Sequence, residues 1–188
     1  MISRLQTKLA AQAHIVFDEC VASLNHLVGD STMPIGTPHI RVVSSGPSID
    51  IEKGSFTLLV GPNALTNEST LFANVAHESV HLHFADGTFG RASGLEEGFA
   101  TYFELSLVQL HFGGDERSRH VKYLPTSYLT ALQDYNYLRT LSANPIREVR
   151  EYNAAVTEVS RRQLRMAFPG LGWLRARRLA QCRRMRRG

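Results

Sequence analysis

Cysteine is scarce in this 188-residue chain, and long apolar runs are missing. Cys20 and Cys182 lie far apart and in no metal-ligand spacing. A disulfide framework and a cysteine zinc cluster are therefore not expected, and free thiols in a reducing compartment are the simplest reading. No window approaches the ~18 consecutive apolar residues of a membrane span, so no integral membrane segment is expected. The opening Met1-Ile-Ser-Arg-Leu-Gln-Thr-Lys leads into no apolar stretch with a small-residue cleavage site. No signal peptide is recognised, and a cytoplasmic location is expected. Acid is absent from Arg161 to Gly188, which holds ten arginines, leaving 11 basic against 17 acidic residues in the preceding chain. The net charge of +4 thus divides into a body at −6 and an end at +10. There is no internal repeat, and no biased tract apart from that end.

What remains is globular. With 43% apolar, 20% charged and 9% aromatic residues, the chain is too apolar for disorder and long enough for one real core. Residues 3–28 place Leu5, Leu9, Val16, Phe17, Val21, Leu24 and Leu27 at helical spacings, which predicts an amphipathic helix ended by the turn formers after Gly29. Three β-like runs follow, at 40–43, 49–52 and 56–60, separated by turns at Ser44-Ser-Gly-Pro and Lys53-Gly-Ser. A small, mostly antiparallel sheet is expected. After Pro62 the period changes. Thr66 or Asn67 can cap a helix running to about Phe84, with Glu68 opposing the positive end of its dipole. Asp86-Gly-Thr-Phe-Gly breaks it as a turn, and a second helix runs from Ser93-Gly to about His111. Helices at 126–142 and 146–167, split by Pro145, and a short basic helix from Leu171 complete the reading. Residues 1–160 are taken as one domain and 161–188 as an Arg-rich C-terminal helix or tail.

The chemistry is concentrated in His77-Glu78-Ser79-Val80-His81. Two histidines four residues apart on a helix differ by about 40° around its axis, so both imidazoles reach one point, as two ligands of a zinc ion must. Glu78, about 100° round, cannot join them but can reach a water on the metal, the position of a general base. Random placement of 8 His and 11 Glu gives roughly 0.02 such motifs in a chain of this size. Burial strengthens the reading. Leu71, Phe72, Val75, Ala76, Val80, Leu82 and Phe84 surround the same helix, and a carboxylate in such a helix needs a partner or a cation. His83, about 200° from His81, is left as a core or surface histidine.

The next helix offers a candidate for a third ligand. In Gly94-Leu-Glu96-Glu97-Gly98-Phe99-Ala100-Thr101-Tyr102-Phe103-Glu104, a short connection makes the two helices near-antiparallel neighbours, so Glu97 can face the histidines. Glu96 is its rival and is expected to point to solvent. Glu104, two turns beyond Glu97 on the same face, suits a partner for a ligand imidazole or else a surface charge.

Together, His77-Glu-Ser-Val-His81 and Glu97-Gly-Phe-Ala-Thr-Tyr-Phe-Glu104 resemble the gluzincin metallopeptidases, particularly the aminopeptidase N-like branch. There an Asn-Glu-Gly-Phe-Ala segment supplies the third zinc ligand and a glutamate recurs seven positions later. The resemblance, over about 30 residues, implies His77, His81 and Glu97 as ligands, Glu78 as base and Glu104 beside a ligand. It implies an α+β, zincin-like fold of minimal size with one Zn2+ per chain. The implied activity is a peptidase cutting a peptide or protein substrate with a metal-bound water. The 15 residues between His81 and Glu97 are fewer than usual in that branch. The Gly-x-Met-Glu-Asn motif for a substrate amine is absent, so aminopeptidase action is not implied. Phe84 stands where the metzincin motif needs glycine.

Two secondary roles are expected from the same resemblance. An oxyanion donor would come from His111, His120, Tyr123, Tyr128, Tyr135, Tyr137 or Tyr152, with Tyr152 favoured by its distance downstream. Phe56-Thr-Leu-Leu-Val would be either an edge strand that pairs with substrate or an ordinary core strand. From another class, the arginine-rich end suits a nucleic acid, an acidic partner or an anionic membrane, or lies solvated against the acidic body. In that alternative the metal site is non-catalytic.

Overall fold

The computed structural model describes every residue except Met1 and residues 32–35, 43–46, 53–54, 86–90, 153–154 and 185–188. The turns expected at 44–47, at 53–55 and at Asp86 lie wholly or largely outside the described residues. α1 (Ile2–Val28) buries Leu9, Ala13, Val16, Phe17, Cys20, Leu24 and Val28, a three- and four-residue stripe laid along α2. Leu27, expected in that stripe, is exposed, because Val28 and Leu24 already occupy the inward positions of the last turn.

β1 (His39–Val42), β2 (Ser48–Glu52) and β3 (Ser55–Val60) form one sheet in the order β1-β3-β2. β2 and β3 pair antiparallel, with Ile49 opposite Leu58, while β1 runs parallel to β3, with Ile40 opposite Leu58. The sheet is therefore mixed rather than mostly antiparallel. β3 is the most apolar strand, burying Leu58 and Val60 on its inner face, and it is stabilised by insertion between the other two. Its central place also removes it as an edge for substrate: its hydrogen-bonding groups are taken on both sides, and the outer edges belong to β1 and β2.

A 3-10 turn (Pro62–Leu65) leads into α2 (Glu68–His83), capped by Asn67, whose Oδ1 accepts from the Thr70 amide at 3.0 Å. After the short β4 (Arg91–Ser93), Ser93 caps α3 (Gly94–Phe112), its Oγ accepting from the Glu96 amide at 3.0 Å. α2 and α3 lie side by side through the middle of the molecule and are buried around most of their circumference. α5 (Thr126–Leu141) packs closely on α3. A Cβ placed on Gly98 would stand 2.5 Å from the Ala131 carbonyl oxygen, so only glycine permits this approach.

Between α3 and α5 the chain forms α4 (Gly114–Tyr123), which has no buried residue and gives no apolar periodicity to read. It starts where Gly113 turns through φ +88°. The single helix expected over 146–167 is instead α6 (Pro145–Tyr152), a 3-10 turn (Val156–Glu158) and α7 (Arg161–Ala167). The break follows from a new helix start at Ser160, which forms a capping box with Gln163. α8 (Trp173–Ala180) and β5 (Cys182–Arg184) follow, and β5 pairs antiparallel with β4.

Leu164, Phe168, Leu171, Ala176 and Leu179 enter the same hydrophobic cluster as α1, α2 and α3. Arg175 Nε donates to Asp134 Oδ1 at 3.0 Å, and Arg178 bonds both oxygens of the same buried carboxylate, each at 2.6 Å. The described part of the arginine-rich end is thus built into the fold. Within the described residues no helix is long and apolar enough to cross a membrane.

Candidate metal centre

The centre is assembled from α2 and α3, with α5 alongside. His77 and His81 stand one turn apart on α2, their ring centroids 4.9 Å from each other. Glu97, in the first turn of α3, brings Oε2 to 3.4 Å from His77 Nε2 and 3.8 Å from His81 Nε2. One donor atom from each of the three lies within 4.8 Å of the others. Zinc with bonds of 2.0–2.2 Å in a tetrahedron holds its donors about 3.3 Å apart, a spacing that Glu97 Oε2 already approaches from both nitrogens.

The outer nitrogens decide how the rings face. His77 Nδ1 lies 2.8 Å from Glu104 Oε2, and His81 Nδ1 lies 2.7 Å from Glu96 Oε1. Each carboxylate accepts the Nδ1 proton, which leaves Nε2 as the nitrogen turned toward the centre. The Glu104 pairing answers the spacing expected from Glu97. Glu96 departs from expectation: it is 2% exposed rather than solvated, and is the partner of His81. The signal was present in the apolar content of α3, since a helix buried on all sides has no solvent face for Glu96.

Four carboxylates, those of Glu78, Glu96, Glu97 and Glu104, are buried around two imidazoles. Burial by itself lowers the proton affinity of His77, but the carboxylates of Glu104 and Glu97 outweigh it and hold that ring well above the usual imidazole range. His81 is also raised, with burial opposed by Glu97 and Glu96. Burial raises Glu78, against the pull of His81 and His77, and Glu97 and Glu104 add to the rise. Glu78 Oε2 is buried with no hydrogen-bond partner among the described residues. Excess negative charge, inward-turned nitrogens and an unsatisfied carboxylate oxygen fit a divalent cation. The buried group His77, His81 and Glu97 can hold one.

The other residues sort by position. Tyr128, on α5, packs its ring 5.5 Å from that of His77, and burial and the Glu97 carboxylate raise its phenol, so it keeps its proton as a donor. Tyr152, favoured by sequence distance, is 46% exposed on α6. Tyr123 is exposed, Tyr135 is buried against Phe99 and Tyr102, and Arg175 covers Tyr137. His111 bonds Glu19 at 2.8 Å, and His120 lies 3.1 Å from the Ser69 hydroxyl. His83 is a core histidine: its Nε2 donates to the Gly29 carbonyl at 2.9 Å, and burial holds it down to about 4, hence neutral. Asp86 lies outside the described residues.

Comparison of the chain with protein-family models, with curated proteins and with solved structures finds no match.

Proposed function

We propose that the chain is a zinc-dependent peptidase, a minimal relative of the gluzincins. The observation that supports this best is the convergence of His77 Nε2, His81 Nε2 and Glu97 Oε2, with both Nδ1 atoms anchored on carboxylates. His77, His81 and Glu97 would hold one ion. A bound zinc supplies a Lewis acid that polarises the scissile carbonyl and brings the pKa of water toward ~7.

The remaining work falls to the protein. Glu78 sits beside the triad, and burial has already raised its proton affinity, which suits a base that must take a proton near neutrality. It takes the proton of the attacking water as the oxygen bonds to the carbonyl carbon. It then passes that proton to the departing amine nitrogen as the C–N bond breaks. Tyr128, protonated and next to His77, is the donor we assign to the oxyanion. Glu96 and Glu104 keep the two imidazoles in register and in one tautomer.

The test compares the purified protein with Glu78→Gln in metal content and in cleavage of a peptide library. About one zinc per chain is expected in both, with kcat reduced ~10²–10⁴-fold in the variant. Loss of zinc in His77→Ala, His81→Ala and Glu97→Ala would identify the ligands one by one. Cleavage that survives in Glu78→Gln, or zinc that survives in all three alanine variants, overturns the reading.

A further inference from the structure

Outside the metal centre the least explained feature is a groove on the surface of α7 and α8. Arg161, Arg162, Arg165, Met166 and Trp173 line it, and no acidic side chain does so among the described residues. Arg175 and Arg178, on α8, are committed to Asp134. Arg161, Arg162, Arg165 and Arg177 make no ion pair among the described residues. They contribute cationic groups that no carboxylate among the described residues neutralises.

Trp173 opens α8 and is 48% exposed. The Arg161 and Arg177 guanidiniums lie 5.4 and 5.6 Å from its ring centroid. An exposed indole costs hydration free energy, and this one is held in place by its neighbours on two helices rather than folded into the core. Its surroundings combine a flat π-face with planar, bidentate cations, and every basic residue here is arginine rather than lysine.

We propose that this groove binds single-stranded nucleic acid, with the arginines on successive phosphates and a base stacked on Trp173. Cationic side chains tracking a backbone beside an aromatic platform are what an unpaired strand offers partners for. A duplex keeps its base faces stacked inside and cannot present one to an indole. An acidic peptide fits the charge but has no obligatory flat ring. An anionic bilayer would need a continuous apolar face, whereas the exposed apolar side chains here, Met166, Trp173 and Leu174, are interspersed with Arg161, Arg162, Arg165 and Arg177. The groove shares no residue with the metal centre, so the two readings stand or fall separately.

Trp173 is the sole tryptophan, so indole emission, excited at the red edge where the six tyrosines do not absorb, reports on this groove alone. A short oligothymidylate or oligouridylate should quench it saturably, whereas inorganic polyphosphate should bind without comparable quenching. Three neutralised phosphates predict a salt slope of about −2, hence a roughly 20-fold loss of affinity between about 50 and 200 mM salt. By anisotropy with labelled oligonucleotide, Trp173→Ala should weaken binding roughly tenfold and Trp173→Phe much less. Arg161→Ala and Arg165→Ala should each flatten the salt slope by about 0.7. These side chains are exposed, and circular dichroism of each variant checks that the fold persists. The proposal is overturned by no quenching at about 50 mM salt, or by oligonucleotide affinity unchanged in Trp173→Ala. It is equally overturned if poly-glutamate, or vesicles of equimolar phosphatidylserine and phosphatidylcholine, shift the fluorescence while oligonucleotides do not.

Discussion

His81 Nδ1 and Glu96 Oε1 are 2.7 Å apart in the interior, and this contact joins the second histidine of α2 to the first turn of α3. It mirrors the contact between His77 and Glu104 two turns away along α3. Each imidazole is thereby held from behind by a different carboxylate while both front nitrogens face Glu97.

Glu96→Ala is therefore expected to weaken zinc binding by ~10–100-fold, because the ring loses both its orientation and the acceptor that fixes its tautomer. Chelator competition measures it. Glu104→Ala should behave alike, and the double variant should lose more than either. Wild-type affinity in Glu96→Ala would remove Glu96 from the centre.

Tyr128→Phe separates donor from packing. The ring stays beside His77, so zinc content and KM should hold while kcat falls ~10²–10³-fold, the usual effect of deleting one oxyanion donor. Equal kcat in Tyr128→Phe and wild type would return the role to another residue.

Gly98→Ala tests the rotation of α3. The added Cβ meets a backbone oxygen at 2.5 Å and the Tyr135 Cβ at 2.8 Å, and a backbone atom cannot step aside as a side chain can. Overpacking of this kind costs ~1–3 kcal/mol. A melting temperature lowered by roughly 3–10 °C is expected, together with weaker zinc binding as Glu97, one residue away, is displaced.

Asp134→Asn should lower the midpoint of urea unfolding by the equivalent of ~1.5–3 kcal/mol, since it weakens hydrogen bonds to two guanidinium groups at a buried acceptor. Zinc content should not change. A larger loss confined to oligonucleotide binding, with stability intact, would place Asp134 in the groove rather than in the fold.

Much of the centre was legible before folding because it rests on local geometry. The four-residue interval from His77 to His81 puts both rings on one side of any α-helix. Asn67 and Ser93 mark helix starts through hydrogen bonds to amides three residues away. The stripe from Leu9 to Leu24 needs only its period to be read, though the period alone placed Leu27 inward where Val28 is buried instead. Other features had no such local signature. α4 buries no side chain and so shows no core-facing stripe, whereas the break before α7 did carry a local mark, the Ser160–Gln163 capping box. The pairing of β1 with β3 depends on which strand is apolar enough to lie between two others.

By itself, then, the chain's order of residues determined α1, α2, α3 and α5, the caps that begin α2 and α3, and the pair of imidazoles, all within a few residues of backbone. Tertiary packing decided which carboxylate meets which nitrogen. Glu96 and Glu97 are adjacent and chemically identical, and they differ only in how α3 is turned about its axis. That rotation is set by close contact of Gly98 with Ala131 on α5 and of Gly94 with Arg178 on α8, distant segments that no local pattern around Glu97 contains.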